Sequence, residues 1–130
     1  MLENTLTLSL PNGGTPVNCV ITRIDVLNNR SMYHEPTHST TMRKTVGFYR
    51  TPSKRSGNFL GVAKSAAKST VDISVLDAVG NQVVSPMIGE ISLSIPIGAS
   101  EAAIDTLLDR LDALVSRRDV IKRQVMGPEI

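Results

Sequence analysis

Two hydrophobic periods divide this chain of 130 residues, and the switch between them constrains the fold most. Up to about residue 97 apolar side chains recur at every second position, the signature of half-buried strands. From Ser100 onward they recur every three or four positions, the signature of an amphipathic helix. Leu6, Leu8 and Leu10 alternate with Thr5, Thr7 and Ser9, and Val17, Cys19 and Ile21 continue the pattern beyond Pro11-Asn12-Gly13-Gly14-Thr15-Pro16. Asn-Gly adopts positive φ at low cost, so residues 4–26 read as a β-hairpin. Polar residues 28–41, with Pro36, read as a loop that admits a short strand near Ser31 to His34. Strands are expected over 42–51, 59–65, 70–76 and 83–97, with turns at 51–58 and 77–82. Pro86 and Pro96 mark irregular ends of the last strand.

In the last third, Ala103, Ile104, Leu107, Leu108, Leu111, Leu114 and Val115 form one helical face behind Ser100, an N-cap with Glu101 in the first turn. Ser116 is expected to cap a short second helix with Val120, Ile121, Gln124 and Val125 inward, stopped by Gly127-Pro128. The result is an α+β chain read as one domain over 1–130: an N-terminal β-hairpin (1–27), an antiparallel sheet (28–97) and two C-terminal α-helices (98–126).

Composition narrows the function. With 41% hydrophobic and 20% charged residues the chain reads as globular, and a net charge of +2 excludes a histone-like polycation. No apolar run approaches the roughly 20 residues of a membrane span, so no membrane partner is expected. The opening MLENTLTLSL lacks the basic and apolar regions of a secretory signal. The single cysteine, Cys19, excludes an internal disulfide and a multi-Cys zinc site, and it reads as a small hydrophobe in a strand.

One motif points to chemistry. His34-Glu35-Pro36-Thr37-His38 is a literal H-E-x-x-H, which in zinc hydrolases puts two His on one helical turn with Glu as base. Here Pro36 sits inside the supposed turn, and no amphipathic helix flanks it. The segment therefore reads as a solvent loop. No catalytic residue, metal, cofactor or small-molecule substrate is expected.

Charge is segregated more informatively. No acidic residue lies between Glu35 and Asp72, whereas Arg43, Lys44, Arg50, Lys54, Arg55, Lys64 and Lys68 do. A solvated sheet face accounts for such a run. So does a surface for single-stranded nucleic acid, where cations meet phosphates and an aromatic stacks on bases. Alternation groups Lys44, Val46, Phe48 and Arg50, and in the next strand Leu60, Val62 and Lys64. A sheet of about five strands also presents more apolar surface than one four-turn helix and a short follower can cover. A second copy supplying its helices would cover it.

With these pieces in order, the sequence resembles the coat proteins of single-stranded RNA bacteriophages, the leviviruses. The resemblance rests on Leu8-Ser9-Leu10-Pro11-Asn12-Gly13-Gly14-Thr15, on the strand–basic turn–aromatic–strand unit from Arg43 to Lys64 with Thr51-Pro52-Ser53-Lys54-Arg55 and Phe59, on Glu90-Ile91-Ser92-Leu93-Ser94-Ile95-Pro96-Ile97, and on the C-terminal helix pair. It implies a five-stranded sheet joined to its partner's as a ten-stranded surface, with helices laid across the partner sheet. Ile91, Leu93, Ile95, Ile104, Leu107, Leu108 and Leu111 would form the dimer interface. It also implies an icosahedral T=3 shell, a loop at 77–82 that changes shape around symmetry axes, and a virion assembled in the bacterial cytoplasm.

The resemblance places Lys44, Val46, Phe48, Arg50, Lys54, Arg55, Leu60, Val62, Lys64, Ile88, Glu90 and Ser92 at the RNA. A well-studied member carries Tyr at the position of Ile88 and Asn at that of Glu90, so genome packaging follows more directly than hairpin recognition for repression of the replicase. The competing readings are a dimeric RNA-binding regulator that does not assemble and, more remotely, a metal hydrolase using His34, Glu35 and His38.

Overall fold

The computed structural model describes residues 4–27 and 29–127. Six strands and two helices follow one another: β1 (Thr5–Leu10), β2 (Val17–Leu27), β3 (Arg30–His34), β4 (Lys44–Thr51), β5 (Val62–Leu76), β6 (Gln82–Pro96), α1 (Glu101–Ser116) and α2 (Arg118–Met126). The strands form one antiparallel sheet in chain order, β1 to β6. Residues 1–3, 28 and 128–130 lie outside the described residues, and so does the expected stop at Pro128.

Three boundaries differ from the sequence reading. The hairpin is not separate from a five-stranded sheet. β2 is long enough to pair with β1 over Val17–Thr22 and with β3 over Thr22–Leu27, so six strands are continuous. A register shift between Arg23 and Asp25 inserts one extra residue there, and such a bulge bends and twists the strand. The strands expected at 59–65 and 70–76 are one, β5, because Ala66-Ala67-Lys68-Ser69 is paired on both sides and overrides its weak propensity. Phe59 to Gly61 are not in that strand. Gly61 takes φ +98°, and a Cβ there would lie 2.4 Å from the Lys54 carbonyl oxygen. Ser116 does not cap α2: its hydroxyl donates to the Asp112 carbonyl at 2.9 Å in the last turn of α1, and Arg117 occupies the joint. The Ser100 cap is as expected, its Oγ accepting from the Ala103 N–H at 3.2 Å.

Strand alternation gives the sheet two unlike faces. On one face Leu6 and Leu8 stand opposite Ile21 and Cys19, and Tyr33 opposite Val46. Cys19, Ile21, Tyr33 and Val46 form the buried core, with Leu6, Leu8 and Phe48 packed against it. Tyr33 and Phe48 meet edge to face at 5.6 Å. Register carries this face on through Ala67, Val71, Ile73 and Val75 of β5 to Val83, Met87, Ile91, Leu93 and Ile95 of β6. There the covering stops: Met87 is 50% exposed and Ile91 44%.

The helices do not supply the cover. No residue of α1 or α2 is buried, and neither packs extensively on the chain's own sheet. The accessible surface of 9974 Å² compares with about 6,700 Å² for a compact monomer of this 14.0 kDa mass. The excess of roughly 3,000 Å² is on the scale that permanent interfaces bury.

On the opposite face Asp72, 3% exposed, anchors the entry to β4. Its carboxylate accepts from the Arg43 backbone N–H at 2.9 Å and from Nε at 2.9 Å, and the Asp72 N–H donates back to the Arg43 carbonyl. The Arg43 side chain, then its backbone N–H, hold the Asp72 carboxyl below the usual carboxylate range against the opposing effect of burial. A depressed folded pKa contributes stability that is present above the unfolded value of about 4 and lost as pH falls through the folded value. Asp72→Asn is therefore expected to lower the melting temperature at pH 7 and to flatten the loss of stability on acidification below about pH 4, as followed by circular dichroism melts across pH. An unchanged acid profile would show that this pair does not couple folding to pH.

Candidate nucleic-acid and assembly surfaces

The polar face of the sheet is ordered in rows set by register. Across β4, β5 and β6 the rows read Thr51–Lys64–Ser94, Tyr49–Ala66–Ser92, Gly47–Lys68–Glu90 and Thr45–Thr70–Ile88. β3 extends three of them with Arg30 beside Tyr49, Met32 beside Gly47 and His34 beside Thr45. Lys64 and Lys68 are two alternations apart on β5, so both cations stand on this face. Asp72, on the same strand, is engaged by Arg43. Glu90 is the acidic residue opposite Lys68. A depression across β4, β5 and β6 is lined by residues 49–51, 64–66 and 92–94. Cations, hydroxyls and one aromatic on an open sheet are the groups that phosphates and unpaired bases engage.

Register corrects the site expected from sequence. Lys44, Val46, Phe48 and Arg50 do share a face, but it is the apolar one, opposite Val71, Ser69, Ala67 and Ser65. Val62, Lys64, Ile88, Glu90 and Ser92 stand on the other face. The twelve residues therefore do not form one surface. Val46 is buried and Phe48 packs on Tyr33, so both serve the core. Leu60 precedes β5 and belongs to neither face, and Lys54 and Arg55 sit in the exposed turn beyond β4, where Arg55 Nε donates to the Gly57 carbonyl. Thr45, Gly47, Tyr49 and Lys68 occupy the polar face instead. A signal for this was available: two apolar residues between two cations, as in Lys44-x-Val46-x-Phe48-x-Arg50, mark a core stripe with polar ends.

The H-E-x-x-H segment folds as a turn after β3, not as a helix. The His34 and His38 rings stack at 5.4 Å, and His38 Nδ1 accepts from the Lys44 backbone N–H at 3.0 Å. Glu35 reaches the opposite side, where its Oε1 accepts from the Cys19 thiol at 3.4 Å. Among the described residues, no group of three or more His, Cys, Asp or Glu is placed to hold a metal ion, and no helix is long and apolar enough to cross a membrane.

Ile91, Leu93 and Ile95 lie on the uncovered part of the apolar face, and Ile104, Leu107, Leu108 and Leu111 on a helix that buries none of them. These two apolar surfaces belong to one chain that does not bring them together. β6 is also a sheet edge. Its prolines, Pro86 and Pro96, are tolerated at an edge, and Met87 to Ile95 between them keeps every backbone donor.

The architecture of six antiparallel strands followed by two outlying helices has a known counterpart. No family profile matches the sequence, and no curated protein does. Solved structures do match over most of their length. The virus-like particle of bacteriophage AVE019 aligns with a TM-score of 0.73 at 14% identity, covering 98% of this chain and 97% of that one. That of Beihai levi-like virus 32 aligns with a TM-score of 0.70 at 18% identity, covering 85% of each chain. The bacteriophage EMS014 coat protein aligns with a TM-score of 0.59 at 15% identity, covering 87% of this chain and 73% of that one. The chain thus has the fold of levi-like phage coat proteins.

Cys19 offers a direct check on the core. Burial first, and then the hydrogen bond and charge of Glu35, push its thiol above the usual cysteine value, with Lys44 opposing. Little thiolate is then present near neutral pH, and reaction with an aromatic disulfide reagent should be far slower in the folded protein than after denaturation. Equal rates would mean that the hairpin does not close over Cys19.

Proposed function

We propose that this chain is the coat protein of a levi-like single-stranded RNA phage, a structural protein without catalytic activity. The observation that carries the reading is the uncovered apolar half of the sheet in a chain whose apolar helix also buries nothing. Two copies paired along β6, each laying its helices across the other's sheet, remove both surfaces from water at once. Such pairing doubles the sheet to twelve hydrogen-bonded strands, counting the hairpin, where the resemblance alone implied ten. Dimers then close into an icosahedral shell, of T=3 symmetry by the family resemblance. The loop after β5 takes positions around the symmetry axes. The helices lie outside, and the polar face turns inward toward packaged RNA. Assembly takes place in the bacterial cytoplasm and the protein resides in the virion.

Support for the RNA comes from Lys64 and Lys68 on the inward face. Repression of the replicase through a hairpin is a further role of the same surface, with Ile88 and Glu90 setting an operator different from one read by Tyr and Asn. The competing reading, a dimeric regulator that does not assemble, shares this surface and differs in particle size.

Electron microscopy of the protein purified from bacteria separates the two. Closed shells holding nuclease-resistant RNA are expected, and dimers without shells across salt and added RNA would move the assignment to the regulator. Leu107→Asp is expected to abolish dimers, since a charge would be forced into an apolar contact, and normal particles from it would refute the helix placement. Lys64→Gln with Lys68→Gln should lower encapsidated RNA per particle more than Lys44→Gln with Arg50→Gln. The reverse order would put the apolar face inward.

A further inference from the structure

The β3–β4 ladder ends on a side chain where a backbone group ordinarily serves. A hydrogen-bonded antiparallel pair exchanges two bonds, one in each direction. At Glu35 and Lys44 one of them is made: the Glu35 N–H donates to the Lys44 carbonyl at 2.9 Å. The Glu35 carbonyl accepts instead from the His38 N–H at 3.0 Å. That bond closes the turn Glu35-Pro36-Thr37-His38, in which Pro36 presets φ at the second position. The Lys44 N–H then donates to His38 Nδ1 at 3.0 Å. An imidazole nitrogen is thus the last rung of the ladder.

That rung depends on a proton. Nδ1 accepts only while it carries none, because an imidazolium donates from both nitrogens and accepts at neither. Histidine is the side chain whose charge ordinarily changes between about pH 5 and 8. His38 is half-buried, within reach of solvent. Charged and titratable groups surround it from each neighbouring element. His34 of β3 stacks on it, the ring centroids 5.4 Å apart. Arg43 and Lys44 lie at the entry to β4, and Arg43 engages Asp72 of β5 at 2.9 Å. The charge of His38 reaches that carboxylate. Glu35 turns to the Cys19 thiol of β2. Asp72 and Glu35 attract an imidazolium, and Arg43, Lys44 and a protonated His34 repel it. None of these charges restores an acceptor on Nδ1.

We propose that His38 is an acid-sensitive latch: neutral, it fastens the first residue of β4 to the turn after β3, and protonated, it releases the Lys44 N–H and lets that turn loosen from the sheet. The neutral form holds the bond, so its contribution is present above the histidine range and is lost as pH falls through it. The window lies above that of the Asp72–Arg43 pair, which weakens below about pH 4. The entry to β4 therefore comes undone in two separate steps, the turn first and the Arg43 anchor second. The latch belongs to the protomer and requires neither shell nor RNA.

The test uses the full chain in the assembly it forms, with its histidines labelled with nitrogen-15 and amide exchange followed residue by residue by NMR. Near pH 8 His38 is expected to show a bare Nδ1, and the Lys44 amide should be protected. Between about pH 7 and 5 Nδ1 should gain its proton. Exchange at Lys44, corrected for the intrinsic effect of pH, should then rise by about 3- to 10-fold, the loss of one net hydrogen bond. His38→Asn carries an Oδ1 in place of Nδ1 that does not titrate, and it should stay protected across the range. His38→Leu has no acceptor and should exchange fast at both ends. The chain has two histidines, so His34→Phe, which keeps a stacked ring, assigns the response to His38 if the response remains. A Lys44 amide that stays protected once Nδ1 is protonated would overturn the latch, as would a His38 ring still neutral at about pH 5. These two readings come from the unaltered protein and decide the matter even where a variant fails to fold. The same pH response in His38→Asn as in the parent, or its loss in His34→Phe, would also overturn it.

Discussion

A single chain here can cover only half of one face of its own sheet, and the rest of the structure follows from that limit. Six strands in register create a wide two-sided surface. The β1–β2 hairpin and β3–β4 close a small core around Ile21, Tyr33 and Val46. Beyond it the long β5–β6 arm runs on with Val75, Val83, Met87 and Ile91 exposed on the same face. The helix that could cover them leaves the sheet after Pro96 and buries none of its own leucines. An amphipathic sheet and an amphipathic helix in one chain thus each leave apolar side chains exposed. The accessible surface exceeds that of a compact monomer of this mass by roughly 3,000 Å².

The same register that makes one face apolar makes the other polar, with two lysines among hydroxyls. Alternation sends Lys64 and Lys68 to the side opposite Ala67 and Val71, and the paired rows bring Tyr49, Ala66 and Ser92 into line. Of the acidic residues on that face, Asp72 is engaged by Arg43, which ties the entrance of β4 to β5, and Glu90 stands opposite Lys68. Gly47 leaves room for a ring to lie on the backbone, where any larger residue would displace it. An apolar face and a polar face are thus two consequences of a single hydrogen-bonding pattern.

How far residues alone reveal this depends on the kind of signal. The strand-to-helix switch at residues 97–100, the Asn-Gly turn and the Ser100 cap are local, and each is where the pattern puts it. The continuity of β5 was not legible, because Ala66-Ala67-Lys68-Ser69 has little strand preference of its own and is held by neighbours on both sides. The face of β4 that turns toward the core was misread for a related reason. Lys44 and Arg50 stand at the ends of a stripe whose middle, Val46 and Phe48, is apolar, and which face of the sheet is buried is decided by the neighbouring strands.

The sequence by itself determined the class of fold, the order of its elements and the segregation of charge into one stretch, since each of these follows from composition and period along the chain. Only the tertiary structure decided which basic residues share a face with which, that Tyr49 rather than Phe48 lies among them, and that His34 and His38 stack while Glu35 turns away to Cys19. Those relations depend on the pairing of strands distant in sequence. Pairing register is set by the collective burial of a face and by backbone hydrogen bonds, which no single side chain announces.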